Sequence, residues 1–190
     1  VDICETEQEK CDRLNVYAVK YIAQAAEKIA AQFIDLSTDF IFDGTHGPLK
    51  EEEIPQPLSY YGKSKYLGEQ MVQQHCSNWV ILRTVLVYGV VHNMSRSNIV
   101  LWVKSSLEEG KSINVVDDQF RTPTLAEDLA DACILAATKN AQGIYHISGK
   151  DFMSIYDLAL RVADHYQLDK NLIKRAQSVD IKQPAKRPPI

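Results

Sequence analysis

Residues 79–89, WVILRTVLVYG, form an almost unbroken apolar run, interrupted only by Arg83 and Thr84. A strand of this kind needs cover on both faces, since neither face is polar enough to meet water. Helices laid above and below a mainly parallel sheet supply that cover, so the run asks for helical segments on either side of it. The chain provides them. Residues 12–31 set Leu14, Ala18, Tyr21, Ile22, Ala25 and Ile29 at helical spacing, which predicts a helix burying that stripe. QFIDLSTD follows as a short strand ending at Ser37-Thr38-Asp39, then a loop bearing glycines and prolines. Further helices are predicted over 60–75, 96–109, 124–139 and 154–168, with strands over 112–116 and 143–149. Thr124 with Glu127 reads as a capping box, and Ser154 with Asp157 as a similar helix start. From Asn171 onward the chain is basic and proline-rich and is expected to be a tail.

Composition removes several classes of function. A net charge of −4 gives no reason to expect nucleic acid or an anionic membrane as partner, and no apolar run approaches the length of a bilayer span. Cys4, Cys11, Cys76 and Cys133 match no zinc or redox spacing, so reduced thiols and a cytoplasmic setting are expected. The five histidines are scattered, and no metal site is expected. The acidic run Glu51-Glu52-Glu53 reads as a solvated loop. The chain opens without methionine on VDICETEQEK and closes on KQPAKRPPI, which leads us to expect a longer protein around it.

Chemistry concentrates in QPLSYYGKSKYLGEQM, residues 56–71. Tyr61 and Lys65 stand one helical turn apart and face the same way. An ammonium beside a phenol favours the phenolate and lowers its pKa, which would make Tyr61 a general acid at cellular pH. Thr38, at the end of the preceding strand, could hold a substrate oxygen or shield developing charge. The spacing by itself is weak, because Tyr166 and Lys170 share it. That second pair follows no strand and reads as surface.

More of the chain carries a resemblance. The stretch STDFIFDGTHGPLKEEEIPQPLSYYGKSKYLGEQ is similar to the core of the extended short-chain dehydrogenase/reductases, and within them most resembles the dTDP-4-dehydrorhamnose reductase family. RLNVYAVKYIAQAA, ILRTVLVYG, VVDDQFRTPTLAEDLADA and AKRPPI resemble further segments of that family, in the same order along nearly all 190 residues. The resemblance implies a Rossmann-like doubly wound α/β fold lacking its first strands, with a small substrate-binding part. Residues 1–91 and 126–148 would remain from the dinucleotide-binding domain, and 92–125 with 149–190 would form the substrate part. It further implies reduction of a nucleotide-linked 4-keto-6-deoxy sugar by NADPH or NADH. Tyr61 would donate the proton, Thr38 would bind the same oxygen, and Lys65 would hold the nicotinamide ribose. Arg83, Thr84 and Tyr88 would line the nicotinamide end. Asn98, Gln119, Arg121 and Arg187 would face the nucleotide sugar. A homodimer is a further expectation.

Alternatives stand beside these roles. Arg83 also reads as a buried strand arginine paired with a carboxylate, and Arg121 and Arg187 as solvated surface. The family's Gly-x-x-Gly-x-x-Gly turn, which receives the cofactor pyrophosphate, does not occur among the eight glycines. An epimerase or dehydratase of the same superfamily is a second reading, although no Glu follows Asp39 as a dehydratase would want. A regulatory subunit that binds a partner enzyme is a third. An intact Thr38, Tyr61 and Lys65 argues against it.

Overall fold

The computed structural model describes residues 1–90 and 98–190. In chain order the elements are α1 (Ile3–Thr6), α2 (Gln8–Asp12), a π-helical turn (Arg13–Tyr17), α3 (Ala18–Lys28), β1 (Phe33–Thr38), α4 (Tyr60–His75), β2 (Trp79–Thr84) and β3 (Val87–Tyr88). There follow α5 (Ile99–Glu108), β4 (Ile113–Val116), β5 (Phe120–Arg121), β6 (Thr124–Leu125), α6 (Ala126–Thr138), β7 (Gly143–Ile147), β8 (Met153–Ser154), α7 (Ile155–Tyr166) and β9 (Ile173–Ala176). Residues 96 and 97, expected to begin the helix before the 112–116 strand, lie outside the described residues.

β1, β2 and β7 form a parallel sheet in that order, with Ser37 opposite Arg83, Thr38 opposite Thr84, and Arg83 opposite His146. Alternation along β2 divides its cover. Ile81 packs with Val19 and Val72 under α3 and α4, while Val80 and Leu82 pack with Ala136 of α6. Helices on both faces of parallel strands are the Rossmann-like arrangement that the apolar run demanded. A second apolar cluster joins α5, α7, β4 and β9 through Val103, Leu107, Val115, Ala159 and Ile173.

Four expectations need correction. The 12–31 helix turns a different face inward: Val16, Val19, Ala23 and Ala26 are buried, while Leu14, Tyr21, Ile22 and Ile29 are more than half exposed. Close approach selects small residues for the inner face. A side chain at Gly68 of α4 would meet the Asn15 carbonyl oxygen at 2.4 Å, so the two helices touch backbone to backbone there. The apolar run is two strands, because Leu86 turns the chain with φ of 39° and sends β3 to pair with β6. Thr124 does not cap α6. It lies in β6, buried, and its hydroxyl donates to the Val85 carbonyl at 2.7 Å. The tail contains β9, which pairs in parallel with β4. The other helix start is as expected: the Ser154 hydroxyl accepts the Asp157 N–H at 3.0 Å.

Candidate functional site

β1 ends at Thr38, and α4 begins just beyond a loop that returns to the same end of the sheet. Gly62 fixes how closely they meet, for a Cβ there would lie 2.1 Å from the Phe40 carbonyl oxygen. The Ser59 hydroxyl caps the helix by accepting the Gly62 N–H at 3.1 Å. This brings Tyr61 beside Thr38, and Phe40 packs edge-on against the Tyr61 ring with centroids 5.7 Å apart. Tyr60, the other phenol of SYYG, donates instead to Asp12 Oδ2 at 2.8 Å.

The electrostatics differ from the sequence expectation. Burial, with the nearby Asp39 carboxylate, pushes the Tyr61 phenol up to about 12, and the Thr38 hydroxyl holds it back only in part. Lys65 does not depress it. Its ammonium donates to the Leu36 carbonyl on β1 at 2.7 Å, and its charge acts on Asp35, whose carboxyl burial raises overall. Asp39 is likewise raised by burial, against the opposing pull of Arg121 and Thr38.

The residues expected at the nicotinamide end have partners within the chain. Arg83 is buried and holds Glu69 by two hydrogen bonds, Nε to Oε1 at 3.0 Å and Nη2 to Oε2 at 2.7 Å. Its Nη1 reaches the Glu51 carbonyl at 3.1 Å, and its guanidinium lies over the Phe42 ring. Glu51 in turn accepts the His146 N–H at 3.0 Å, so this member of the acidic run anchors the loop to β7. The Thr84 hydroxyl donates to that of Thr124 at 3.2 Å, and Tyr88 belongs to the β3–β6 pair.

The four residues expected at the nucleotide sugar each have partners within the chain, and Arg187 lies near enough to Arg121 for their charges to act on one another. Asn98 caps α5, accepting the Leu101 N–H at 3.0 Å and donating to the Gly89 carbonyl at 2.6 Å. Gln119 is buried and donates to Ser178 at 2.8 Å and Gln183 at 3.3 Å. Arg187 binds Asp2 at 2.9 Å. Arg121 is buried rather than solvated and faces Asp39 at 3.5 Å. Tyr166 and Lys170 remain at the surface, Lys170 paired with Asp164.

A cavity of about 640 Å3 opens beyond the carboxyl ends of β1, β2 and β7, where parallel sheets bind ligands. Asp39, Phe42, Arg121, His146, Lys150 and Phe152 are among its walls, and it adjoins Thr38 through Asp39. Among the described residues no group of three or more His, Cys, Asp or Glu could hold a metal, and no helix is long and apolar enough to cross a membrane. Sequence reasoning missed Asp39, Glu69 and His146 as parts of this region. Glu69 had a signal, since it continues the Tyr61–Lys65 spacing by one more turn of α4. Asp39 had one too, as a carboxylate beside the Thr38 hydroxyl.

Comparison with known proteins places these features in a wider set. The family model described as the RmlD substrate binding domain matches residues 1–190. Methionine adenosyltransferase 2 subunit beta of Xenopus laevis is 35% identical over 178 residues, which are 91% of this chain and 53% of that protein. The spore coat polysaccharide biosynthesis protein SpsK of Bacillus subtilis is 33% identical over 174 residues, 91% of this chain and 60% of its own. The crystal structure of a dTDP-4-dehydrorhamnose reductase from Bacillus anthracis in complex with NADP superposes with a TM-score of 0.94 at 28% identity, covering 100% of this chain and 66% of that one. The chain thus spans about half to two thirds of the length of these proteins.

Proposed function

The chain belongs to the RmlD substrate binding domain family of the extended short-chain dehydrogenase/reductases, and on that premise we propose that it reduces a nucleotide-linked 4-keto-6-deoxy sugar with NADPH or NADH. The observation that carries this reading is the meeting of Tyr61 with Thr38 at the carboxyl end of β1, with Lys65 one turn along the same helix. The Tyr61 phenol, protonated at neutral pH, donates its proton to the ketone oxygen as that oxygen gains charge. Thr38 keeps the phenol beside the strand end. Lys65 fits the ribose of a nicotinamide nucleotide: its ammonium has three protons, and the Leu36 carbonyl takes one. The nicotinamide group, when bound, supplies the hydride. The cavity beside Asp39 has room for the sugar nucleotide, with stacked Phe120 and Phe152 rings at one side and the Lys150 ammonium for its phosphates. Residues 92–125 and 149–190 would form this substrate part.

One observation favours a second reading. The curated relatives at 33–35% identity include subunits of methionine adenosyltransferase, and Arg83, Gln119, Arg121 and Arg187 all have partners inside the chain. A non-catalytic subunit that binds such an enzyme would need none of them for substrate. Incubation of the full-length protein with dTDP-4-keto-6-deoxyhexose and either reduced nicotinamide cofactor separates the two. Cofactor oxidation with formation of the 4-hydroxy sugar supports the reductase. No turnover, together with co-purification of a methionine adenosyltransferase catalytic subunit, supports the second reading.

A further inference from the structure

His146, near the end of β7, sets a ring nitrogen against an arginine: its Nε2 lies 3.4 Å from Arg83 Nη1. A guanidinium can only donate, so this nitrogen presents a lone pair, and the imidazole is neutral with its proton on the other nitrogen. The contact belongs to a closed circuit. Arg83 Nη1 also donates to the Glu51 carbonyl at 3.1 Å, and the Glu51 carboxylate accepts the His146 backbone N–H at 3.0 Å. The Phe42 ring stands edge-on to the imidazole, with centroids 5.8 Å apart, and its centroid lies 5.4 Å from the guanidinium carbon. Three elements therefore meet at one point: β2 through Arg83, β7 through His146, and the loop between β1 and α4 through Phe42 and Glu51.

That loop is also a wall of the cavity. His46, Gly47, Pro48 and Leu49 line the 640 Å3 space, and in the chain they lie between Phe42 and Glu51. We propose that His146 is a positioning residue that latches this wall while its imidazole is neutral: a proton on Nε2 sets one N–H against another at Arg83, breaks the circuit and frees the loop from the ends of β2 and β7. The latch makes access to the cavity sensitive to acid. The charged groups facing the imidazole are Glu51 on the loop, Arg83 on β2 and Glu69 on α4. Burial outweighs the pull of Glu51, and Arg83 adds to it, so the folded imidazole is held below its ordinary 6.5. Opening returns the ring to water and to its ordinary affinity for protons. The open state then takes up a proton that the closed state refuses, so opening is favoured as pH falls below 6.5 and is indifferent to pH well above it. The consequence for a sugar nucleotide rests on the reductase reading above, whereas the motion of the loop can be observed without a ligand.

Amide hydrogen exchange of the peptide spanning residues 43–56, in the full-length protein and corrected for the intrinsic effect of pH on exchange, reads the opening. In the parent the opening constant is expected to be flat above about pH 7.5 and to rise by up to about tenfold for each pH unit below 6.5. His146→Gln keeps an acceptor to set against Arg83 but takes up no proton, and its profile is expected to stay flat. A parent loop that opens no more in acid than at neutral pH, or an equal rise in His146→Gln, overturns the proposal. If His146→Gln does not fold, nitrogen-15 NMR of the histidines in the parent decides. An Nε2 without a proton at neutral pH and a midpoint below 6.5 are expected; a protonated Nε2, or a midpoint at or above 6.5, overturns the proposal. In turnover, the KM for the sugar nucleotide is expected to rise in acid in the parent and not in His146→Gln, and an equal rise in both overturns the proposal. Turnover by a protein whose loop ignores pH refutes the latch and leaves the reductase reading standing. A parent protein without turnover refutes the reductase reading and leaves hydrogen exchange to judge the latch.

Discussion

Arg83 and Glu69 join β2 to α4 by two parallel hydrogen bonds of 3.0 and 2.7 Å, with the side chains only 4% and 0% exposed. The pair connects the central strand of the sheet to the helix that carries Tyr61 and Lys65. Removing one member leaves a buried charge without its partner, which costs about 3–5 kcal/mol. Arg83→Met and Glu69→Gln are each expected to lower stability by about that amount in urea denaturation. The double replacement Arg83→Met with Glu69→Met is expected to recover much of the loss, since a well-packed apolar pair often replaces a buried ion pair with little penalty.

Tyr61→Phe is expected to reduce turnover of the nucleotide sugar on the order of a hundredfold or more, the scale for losing a general acid. Tyr166→Phe is expected to be nearly silent, since Tyr166 lies at the surface beside Lys104. Steady-state kinetics of the two variants side by side checks this, and equal losses would remove Tyr61 from its role.

Stability should respond to alkali in a defined direction. The Tyr61 phenol is pushed up to about 12 in the folded chain from its ordinary 10, first by burial and then by Asp39. Between those values the native state retains a proton that the unfolded chain has lost, so stability falls as pH rises. The contribution is fully present below pH 10 and is lost as pH passes through about 12. Thermal melts across this range are expected to fall more steeply for the parent than for Tyr61→Phe. Tyr60, pushed up to about 12 by its bond to Asp12, titrates in both proteins and cancels in the comparison.

Gly68→Ala tests the contact between the helices. Its methyl group would lie 2.4 Å from the Asn15 carbonyl oxygen, so α4 must move away from the π-helical turn to make room. Overpacking of this kind typically costs 1–3 kcal/mol, or about that much in chemical denaturation. A variant as stable as the parent would show that the two helices are held less closely than described.

The parts of this architecture that could be read from the chain are those where one local signal dominates. The β2 run is apolar on both faces, and α4 joins a serine cap to Tyr61 and Lys65 at helical spacing. The inward face of α3 was not legible, because its largest apolar residues point outward and Ala23 and Ala26 point in. They pack against Cys76, at least fifty positions along the chain, and no window of local periodicity contains both. β9 is short, with two exposed residues between its buried and half-buried ends, and its partner β4 lies 60 residues earlier in register, Ile113 opposite Ile173. Arg121 is the clearest case at the site. An arginine in a polar segment suggests solvent or a phosphate, and nothing nearby announces that the Pro188 carbonyl and Asp39 arrive from opposite ends of the chain to surround it.

The missing side chain at Gly62 has a consequence in time. With the Phe40 carbonyl oxygen where a methyl group would stand, the end of β1 and the first turn of α4 move as one body. The Thr38 and Tyr61 side chains stand on touching backbone, although a longer loop joins their two elements. Their spacing is then set once, when the chain folds, and is not rebuilt on each encounter with a ligand.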